Sequence, residues 1–439
     1  MTAATTQVMT PEPRQADSAG CTGFRPPDFV PPPPSAIEDL GISEHLLIDI
    51  ALRHVYLRGV CSIHLLSELM KLSLEVAEAL FRRLNDQQFF EVRRMSGDDY
   101  LFSLSNAGRR LAAERAQIVR YAGPAPVALA AWADSVRRQS VHAPVTRARL
   151  REAFSDIVLS DELIDALGPA LISQSAIFLY GPSGTGKTTI AERLLRVFDD
   201  TVVVPWAVET DGQIITLADP AVHQAVDFAG IHLDHRWCLC RRPYLAVGGE
   251  LVTAMLDLRK DDASGVFVAP LQMKASNGIL LIDDFGRQLM SPRDLLNRWI
   301  VPLDRRVDFL SLGSGKIDIP FELLVVFSTN LEPQELGDEA FLRRVPNKIR
   351  IGGVDADGFD AIFRLTAAAA GMAVEPGSAG RFRELCLRHS PDLRQCFPRD
   401  ICNAIRALAL YEGRKPAVTL AGLERAISAY FVAEEGAQA

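Results

Sequence analysis

Gly181-Pro182-Ser183-Gly184-Thr185-Gly186-Lys187-Thr188 is the stretch from which the fold of this chain is read. It fits G-x-x-x-x-G-K-T, follows the apolar run Ala176-Ile177-Phe178-Leu179-Tyr180, and leads into Thr189-Ile190-Ala191-Glu192-Arg193-Leu194-Leu195. Strand, glycine loop and amphipathic helix thus come in the order a phosphate loop requires. Gly181, Gly184 and Gly186 let the backbone turn successive N–H groups toward one phosphate, and the helix that follows adds the positive end of its dipole. Pro182, Ser183 and Thr185 complete the loop, with Thr189 just beyond it. Lys187 is spaced to reach the β- and γ-phosphates and the Thr188 hydroxyl to ligate Mg²⁺. The pattern predicts a nucleoside-triphosphate site, with ATP and Mg²⁺ as its cofactors.

Downstream, Gly278-Ile279-Leu280-Leu281-Ile282-Asp283-Asp284 reads as a buried strand ending in two carboxylates. Set beside the phosphate-loop strand, it would present Asp283 to the Mg²⁺ shell and Asp284 to the water attacking the γ-phosphate. A third apolar run, residues 321–329, ends at Asn330, whose amide could bond that water or the γ-phosphate. Strand and helix signals alternate from Thr146 onward, as an α/β domain with a parallel sheet demands. After about Val354 only helical signals remain, over residues 358–370, 381–388, 399–412 and 420–431.

Together with Asp338-Glu339-Ala340-Phe341-Leu342-Arg343-Arg344-Val345, these segments resemble the AAA+ ATPase family, over about residues 150–435. The resemblance implies Walker A at 181–188, Walker B at 279–284, sensor 1 at Asn330, and an arginine finger at Arg344, with Arg343 second. Such a finger, inserted from a neighbouring subunit, would stabilise charge on the transferring phosphoryl group. Local salt bridges are the plainer use of both arginines. Phe397-Pro398-Arg399-Asp400-Ile401 resembles the start of the lid helix that carries sensor 2, which points to Arg399, with Arg394 on the preceding loop as the alternative. Phe154-Ser155-Asp156-Ile157-Val158-Leu159 resembles the segment that packs around the adenine, and suits a purely structural role equally well. One departure stands out. The family usually ends Walker B in Asp-Glu, whereas Asp284 is one methylene shorter, so turnover is expected to be slow while binding survives.

Residues 37–122 carry three helical segments, a hairpin about Met95-Ser96-Gly97-Asp98-Asp99 and a last helix after Ser105, an order that resembles a winged helix-turn-helix domain. Arg82-Arg83 and Arg93-Arg94 could meet DNA phosphates, but Asp98-Asp99 sits at the wing tip, so a protein-binding or self-association role competes with DNA binding. Residues 1–36, ending in Pro31-Pro32-Pro33-Pro34, read as a disordered proline-rich tail, and residues 123–145 as a linker around a short helix at 127–136. The domain plan is therefore tail 1–36, winged helix 37–122, linker 123–145, α/β nucleotide core 146–353 and helical lid 354–435.

The chain has 439 residues, 48% hydrophobic and 23% charged, with a formal net charge of −8. This is enough for two or three domains, each with its own core. No run approaches the roughly eighteen apolar residues of a membrane span. No secretory start is visible and the seven cysteines follow no framework spacing, so a cytoplasmic setting is expected. The net negative charge argues against indiscriminate nucleic-acid binding by the whole molecule.

Two hairpins are expected in the core. One joins residues 201–204 to 213–217 across Glu209-Thr210-Asp211-Gly212, and the other joins 307–312 to 316–319 across Gly313-Ser314-Gly315. The second resembles the pre-sensor-1 hairpin branch of the family, which includes MoxR-like remodelling ATPases and bacterial enhancer-binding activators. The activators' Gly-Ala-Phe-Thr-Gly-Ala loop is absent. His232, His235, Cys238 and Cys240 offer imidazole and thiolate, yet one residue separates the cysteines and no second knuckle follows, so ordinary residues of an inserted loop are expected there. The function these features imply is an ATPase that self-associates into a ring or partial ring and remodels a protein partner. The alternative is a DNA-binding ATPase regulator.

Overall fold

The computed structural model describes residues 24–97, 99–140, 145–228, 230–313, 315–336 and 342–431. Its centre is a five-stranded parallel sheet in the spatial order Tyr244–Val247, Ile279–Ile282, Leu324–Thr329, Ile177–Tyr180, Asn347–Arg350. Strands covered on both faces read as unbroken apolar runs, and Ile279–Ile282 is buried at every position. The phosphate-loop strand therefore lies beside the Leu324–Thr329 strand, which separates it from the strand leading to Asp283. The fold class is the α/β one expected.

The C-terminal part is helical, with Ala356–Ala369, Ser378–His389, Cys396–Tyr411 and Leu420–Tyr430 packed around Phe359, Phe363, Phe382, Ile401 and Leu423. Among the described residues only the two-residue strands Ala373–Val374 and Ala417–Val418 interrupt it. At the other end, helices Glu44–Arg58, Ile63–Met70 and Leu74–Asp86 precede the hairpin Phe90–Ser96 with Asp99–Leu104 and the helix Asn106–Ile118. The Ser73 and Ser105 side chains cap two of these helices by accepting from the amides of Val76 and Gly108. Val60–Ser62 adds a third strand to the hairpin, too short for its period to show in the sequence.

Three expectations about the connecting segments are corrected. Residues 201–204 do not pair with 213–217: Thr201–Pro205 pairs with Trp237–Arg241, while Ala207–Thr210 forms the hairpin with Gln213–Thr216. The reason is the two-residue turn, with Asp211 at φ 50° and Gly212 at φ 74°, which joins only the residues directly flanking it. The second expected hairpin forms, Val307–Leu312 with Gly315–Pro320.

Residues 123–145 do not serve as a free linker over their described part. Val127–Ala128 pairs with Val208–Glu209, and Trp132, Ala133 and Val136 of the helix Leu129–Arg138 are buried in the core of the insert. Residues 24–36 of the expected tail are laid along the molecule, and residues 1–23 lie outside the described residues. The N-terminal unit is likewise fixed, since Ala207, Ile214 and Val266 of the insert join the core of Leu47, Leu66, Leu80 and Phe102. Buried Arg236 closes that seam: it pairs with Asp234 and donates to the carbonyls of Leu40 and Pro126.

Candidate functional site

The phosphate loop turns where its glycines permit. Gly181 (φ 136°) passes so close to Ile351 that a Cβ there would strike its carbonyl, and Gly184 (φ 79°) takes a conformation that L side chains avoid. Thr185 is buried and its hydroxyl donates to the Pro182 carbonyl at 2.9 Å, bracing the loop from inside. Lys187, Thr188 and Thr189 open the helix Lys187–Leu194, so its first amides face the loop. Lys187 is buried with its ammonium on the carbonyls of Gly181 (2.9 Å) and Pro182 (2.8 Å). Burial lowers its pKa most, Asp283 and Asp284 pull it back up, and Arg394 pushes it further down.

The Thr188 hydroxyl donates to the Asp283 carboxylate at 2.9 and 3.1 Å. Residues 95 apart in sequence thus meet as a hydroxyl and a carboxylate, a hard oxygen donor set suited to Mg²⁺. Lys187 beside them suits a phosphate, so the residues present fit ATP and Mg²⁺. Asp284 is exposed and has φ 48°, the left-handed region that Asp tolerates better than most residues, and its amide donates to Asp283 Oδ1 at 3.0 Å. Asn330 follows the Leu324–Thr329 strand directly, one residue past the Thr329–Tyr180 pair. The Thr329 hydroxyl fixes that strand end by donating to the Phe285 carbonyl at 2.6 Å.

Arg394 and Arg399 differ in placement. Arg399 is solvent-facing, with 72% of its side chain exposed and only its neighbour Asp400 at 3.4 Å. The buried face of the helix Cys396–Tyr411 runs through Phe397, Pro398, Ile401, Cys402 and Ile405, which leaves position 399 outside. Arg394 instead lies at the phosphate loop: its Cδ would sit 4.0 Å from a Cβ on Gly184, its charge acts on Lys187, and its buried Nε has no hydrogen-bond partner. The helical period could have shown that Arg399 faces outward. No local signal marks Cys396, whose amide donates to the Gly184 carbonyl at 3.0 Å.

Arg344 makes an ion pair with Asp304 of its own chain at 2.8 Å, while Arg343 is exposed. Residues 338–341 of that segment lie outside the described residues. Phe154 is buried in the core beside the loop helix, and Asp156 pairs with Arg193 and Arg196. A cavity of about 870 Å³ is lined by Phe24, Glu192, Arg241 and Tyr244 among others, and none of residues 181–188 lines it.

Cys238 and Cys240 lie buried on the strand Trp237–Arg241, and burial raises the Cys238 thiol to about 11 and Cys240 still further. No group of three or more His, Cys, Asp or Glu side chains among the described residues is placed to hold a metal ion. The arginines considered for DNA have acidic neighbours: Arg82 pairs with Glu78, Arg83 with Glu38 and Glu44, and Arg93 with Glu91. No described helix is long and apolar enough to cross a membrane.

A family model described as a domain of unknown function (DUF8689) matches residues 355–429, within the helical C-terminal part. No curated protein matches the chain. Among solved structures, NtrX from Brucella abortus is similar at 16% identity over 63% of this chain and 56% of its own, with a TM-score of 0.41. Its complex with ATP matches at 16% identity over 64% and 60%, with a TM-score of 0.39. A mutant RuvB from Thermotoga maritima matches at 13% identity over 67% of this chain and 74% of its own, with a TM-score of 0.37. The chain spans less than two thirds of the length of the NtrX structures, and at such scores the site assignments stand on this chain's own geometry.

Proposed function

We propose that this protein is an ATP-binding, ATP-hydrolysing AAA+ protein that self-associates and couples the nucleotide cycle to remodelling a protein partner. The observation that carries the nucleotide reading is the Thr188–Asp283 contact at 2.9 Å with Lys187 one residue away on the loop. Lys187 and the loop amides would hold the β- and γ-phosphates of ATP, and Thr188 and Asp283 would hold Mg²⁺, which would supply charge neutralisation. Asp284 accepts a proton from the attacking water, and Asn330 orients that water from the neighbouring strand end. Arg394, from the lid, meets the γ-phosphate side of the loop.

Arg344 is the finger of this proposal, with Arg343 as second choice. It acts on the site of a neighbouring copy, and to do so it exchanges Asp304 for a phosphate oxygen. Protein remodelling is preferred over DNA binding because acids accompany Arg82, Arg83 and Arg93, leaving little basic face for phosphates. The test is molecular mass by light scattering together with phosphate release, for wild type and Lys187→Ala, with and without ATP and Mg²⁺. Assembly and hydrolysis in wild type alone is the expected result. A wild type that binds no ATP overturns the nucleotide reading, and one that stays monomeric in every condition overturns the intersubunit finger.

A further inference from the structure

Several arginines of the C-terminal half are held by acids: Arg344 by Asp304 at 2.8 Å, Arg383 by Asp360 at 2.7 Å and Arg381 by Glu424. Arg394, the arginine beside the phosphate loop, is held differently. Among the described residues it has no acid partner, and its buried Nε makes no hydrogen bond. What it has instead is a ring: its guanidinium carbon lies over Phe397 at 5.9 Å from the ring centroid. An aromatic face attracts the cation without using its N–H donors, whereas a carboxylate would accept from them. Arg394 is thus oriented and still free to donate to an anion.

For a ring to orient a cation, its own plane must be fixed. Phe397 is buried, and two rings from the end of the last helix meet it edge to face: Tyr430 at 6.1 Å and 78°, Phe431 at 5.2 Å and 76°. Tyr430 and Phe431 also meet each other at 5.0 Å, and His389 stacks on Phe431 at 4.7 Å. The Tyr430 hydroxyl donates to Asp400 at 3.0 Å, and Asp400 lies one turn beyond Phe397 on the same helix. Tyr430 therefore touches that helix at two points, which holds its ring against Phe397. A row of contacts runs from Asp400 through Tyr430 and Phe397 to Arg394, and so from the last helix to the phosphate loop.

We propose that Phe397 and Tyr430 are positioning residues of the nucleotide site: their rings hold the Arg394 guanidinium at the phosphate loop with its donors free, so that the lid tells a triphosphate from a diphosphate. This rests on the reading of the loop as an ATP site with Arg394 on its γ-phosphate side. The two aromatic residues act through Arg394 and make no contact with the phosphates themselves. A planar guanidinium that is already oriented loses little freedom when it donates to a phosphate, and it has no ion pair to break first. Loss of the supporting ring lets Arg394 swing among its rotamers, which weakens the contact to the third phosphate and leaves the contacts of the first two in place.

The test measures equilibrium affinities for ADP and for a non-hydrolysable ATP analogue, using full-length protein. Wild type is compared with Arg394→Ala, Tyr430→Leu, Tyr430→Phe and the double variant Arg394→Ala with Tyr430→Leu. Tyr430 is 39% exposed, so its replacement leaves the lid able to fold, and a melting curve checks each protein. Arg394→Ala is expected to lower the preference for the triphosphate by roughly tenfold or more. Tyr430→Leu should lower it by roughly threefold to tenfold, while Tyr430→Phe, which keeps the ring, should stay within about twofold of wild type. Once Arg394 is alanine, Tyr430→Leu should change the preference by less than about twofold, because the two residues act as one unit. Equal losses of ATP-analogue and ADP affinity in Tyr430→Leu would make the ring a packing residue and overturn the proposal. So would a loss of preference in Tyr430→Leu that is the same with and without Arg394, or no loss in Arg394→Ala. A wild type that binds neither nucleotide would instead overturn the ATP reading on which the proposal rests.

Discussion

The Cys396 amide donates to the Gly184 carbonyl at 3.0 Å, so the first residue of a lid helix is hydrogen-bonded to the phosphate loop itself. A Cβ on Gly184 would run into Cys396 Sγ, and the residue's φ of 79° disfavours any L side chain. Gly184→Ala is therefore expected to undock the lid as well as strain the loop by about 1 kcal/mol or more, with ATP affinity falling by roughly tenfold or more. Cys396→Ala keeps the backbone bond and should retain near-normal affinity. Titration of both variants with a fluorescent ATP analogue checks this.

Arg394 and Arg399 separate the two possible lid contacts. Replacing Arg394 by alanine removes a charge beside Lys187 and is expected to weaken ATP binding or turnover by roughly tenfold to a hundredfold, the range of a charged hydrogen bond. Arg399→Ala, at an exposed position, should stay within about twofold of wild type, since exposed ion pairs contribute little. Equal losses in the two steady-state assays would reject this separation.

Asp284 is expected to be the base of a slow ATPase. Asp284→Ala should lower the rate by roughly a hundredfold while leaving ATP affinity intact. A wild-type rate indistinguishable from that variant would remove Asp284 from the chemistry. Asp284→Glu gains a methylene but places a longer side chain at φ 48°, so the structure predicts little gain in rate and a lower melting temperature.

The ion pair of Arg344 with Asp304 makes a prediction about assembly. Asp304→Asn loosens Arg344 within its own chain, whereas Arg344→Ala removes the group altogether. If Arg344 serves a neighbouring copy, Arg344→Ala lowers ATP turnover by roughly a thousandfold with binding unchanged, and added Asp284→Ala protein, which still binds ATP and keeps its arginine, restores part of the rate. No rescue in that mixing assay would confine Arg344 to a structural role.

Acid should destabilise the protein through its buried histidines. His223 Nδ1 accepts from the Asp219 amide at 2.9 Å and Nε2 donates to the Lys274 carbonyl at 2.9 Å, which fills both nitrogens in the neutral ring. Burial lowers its pKa from 6.5, and burial also lowers that of His54, whose Nε2 bonds the Gly123 carbonyl. With folded pKa values below the unfolded one, the unfolded chain takes up the protons first. Stability is then full above about pH 6.5 and falls as pH drops through that value toward the lowered ones. Urea midpoints across this range should decline, and less steeply in a His223→Gln variant.

Much of the site was legible because its chemistry is local. A loop that must curl around phosphate needs glycines, lysine and a hydroxyl within eight residues, and buried parallel strands need solid apolar runs that end where their carboxylates or amides emerge. Thr188 and Asp283 meet for that reason, and Asn330 follows the end of its strand. Arg399 was misread because the proline and helix start near it are local signals, while the direction of its side chain depends on which face of the helix the lid core claims. The partner of residues 201–205 was misread because a strand's neighbour across the sheet is not encoded beside it.

By itself the amino-acid order determined the α/β core, the helical C-terminal part, the three-helix and hairpin unit before them, and the candidate residues for phosphate and Mg²⁺, since capping, periodicity and turn chemistry act over a few residues. Only the tertiary structure decided that Arg394 rather than Arg399 faces the loop, that Cys396 ties the lid to Gly184, that Arg344 is held by Asp304, and that a proline-rich stretch without a core of its own lies against three parts of the molecule. Those outcomes depend on donors, rings and charges brought together from positions tens to hundreds of residues apart, which no local pattern records.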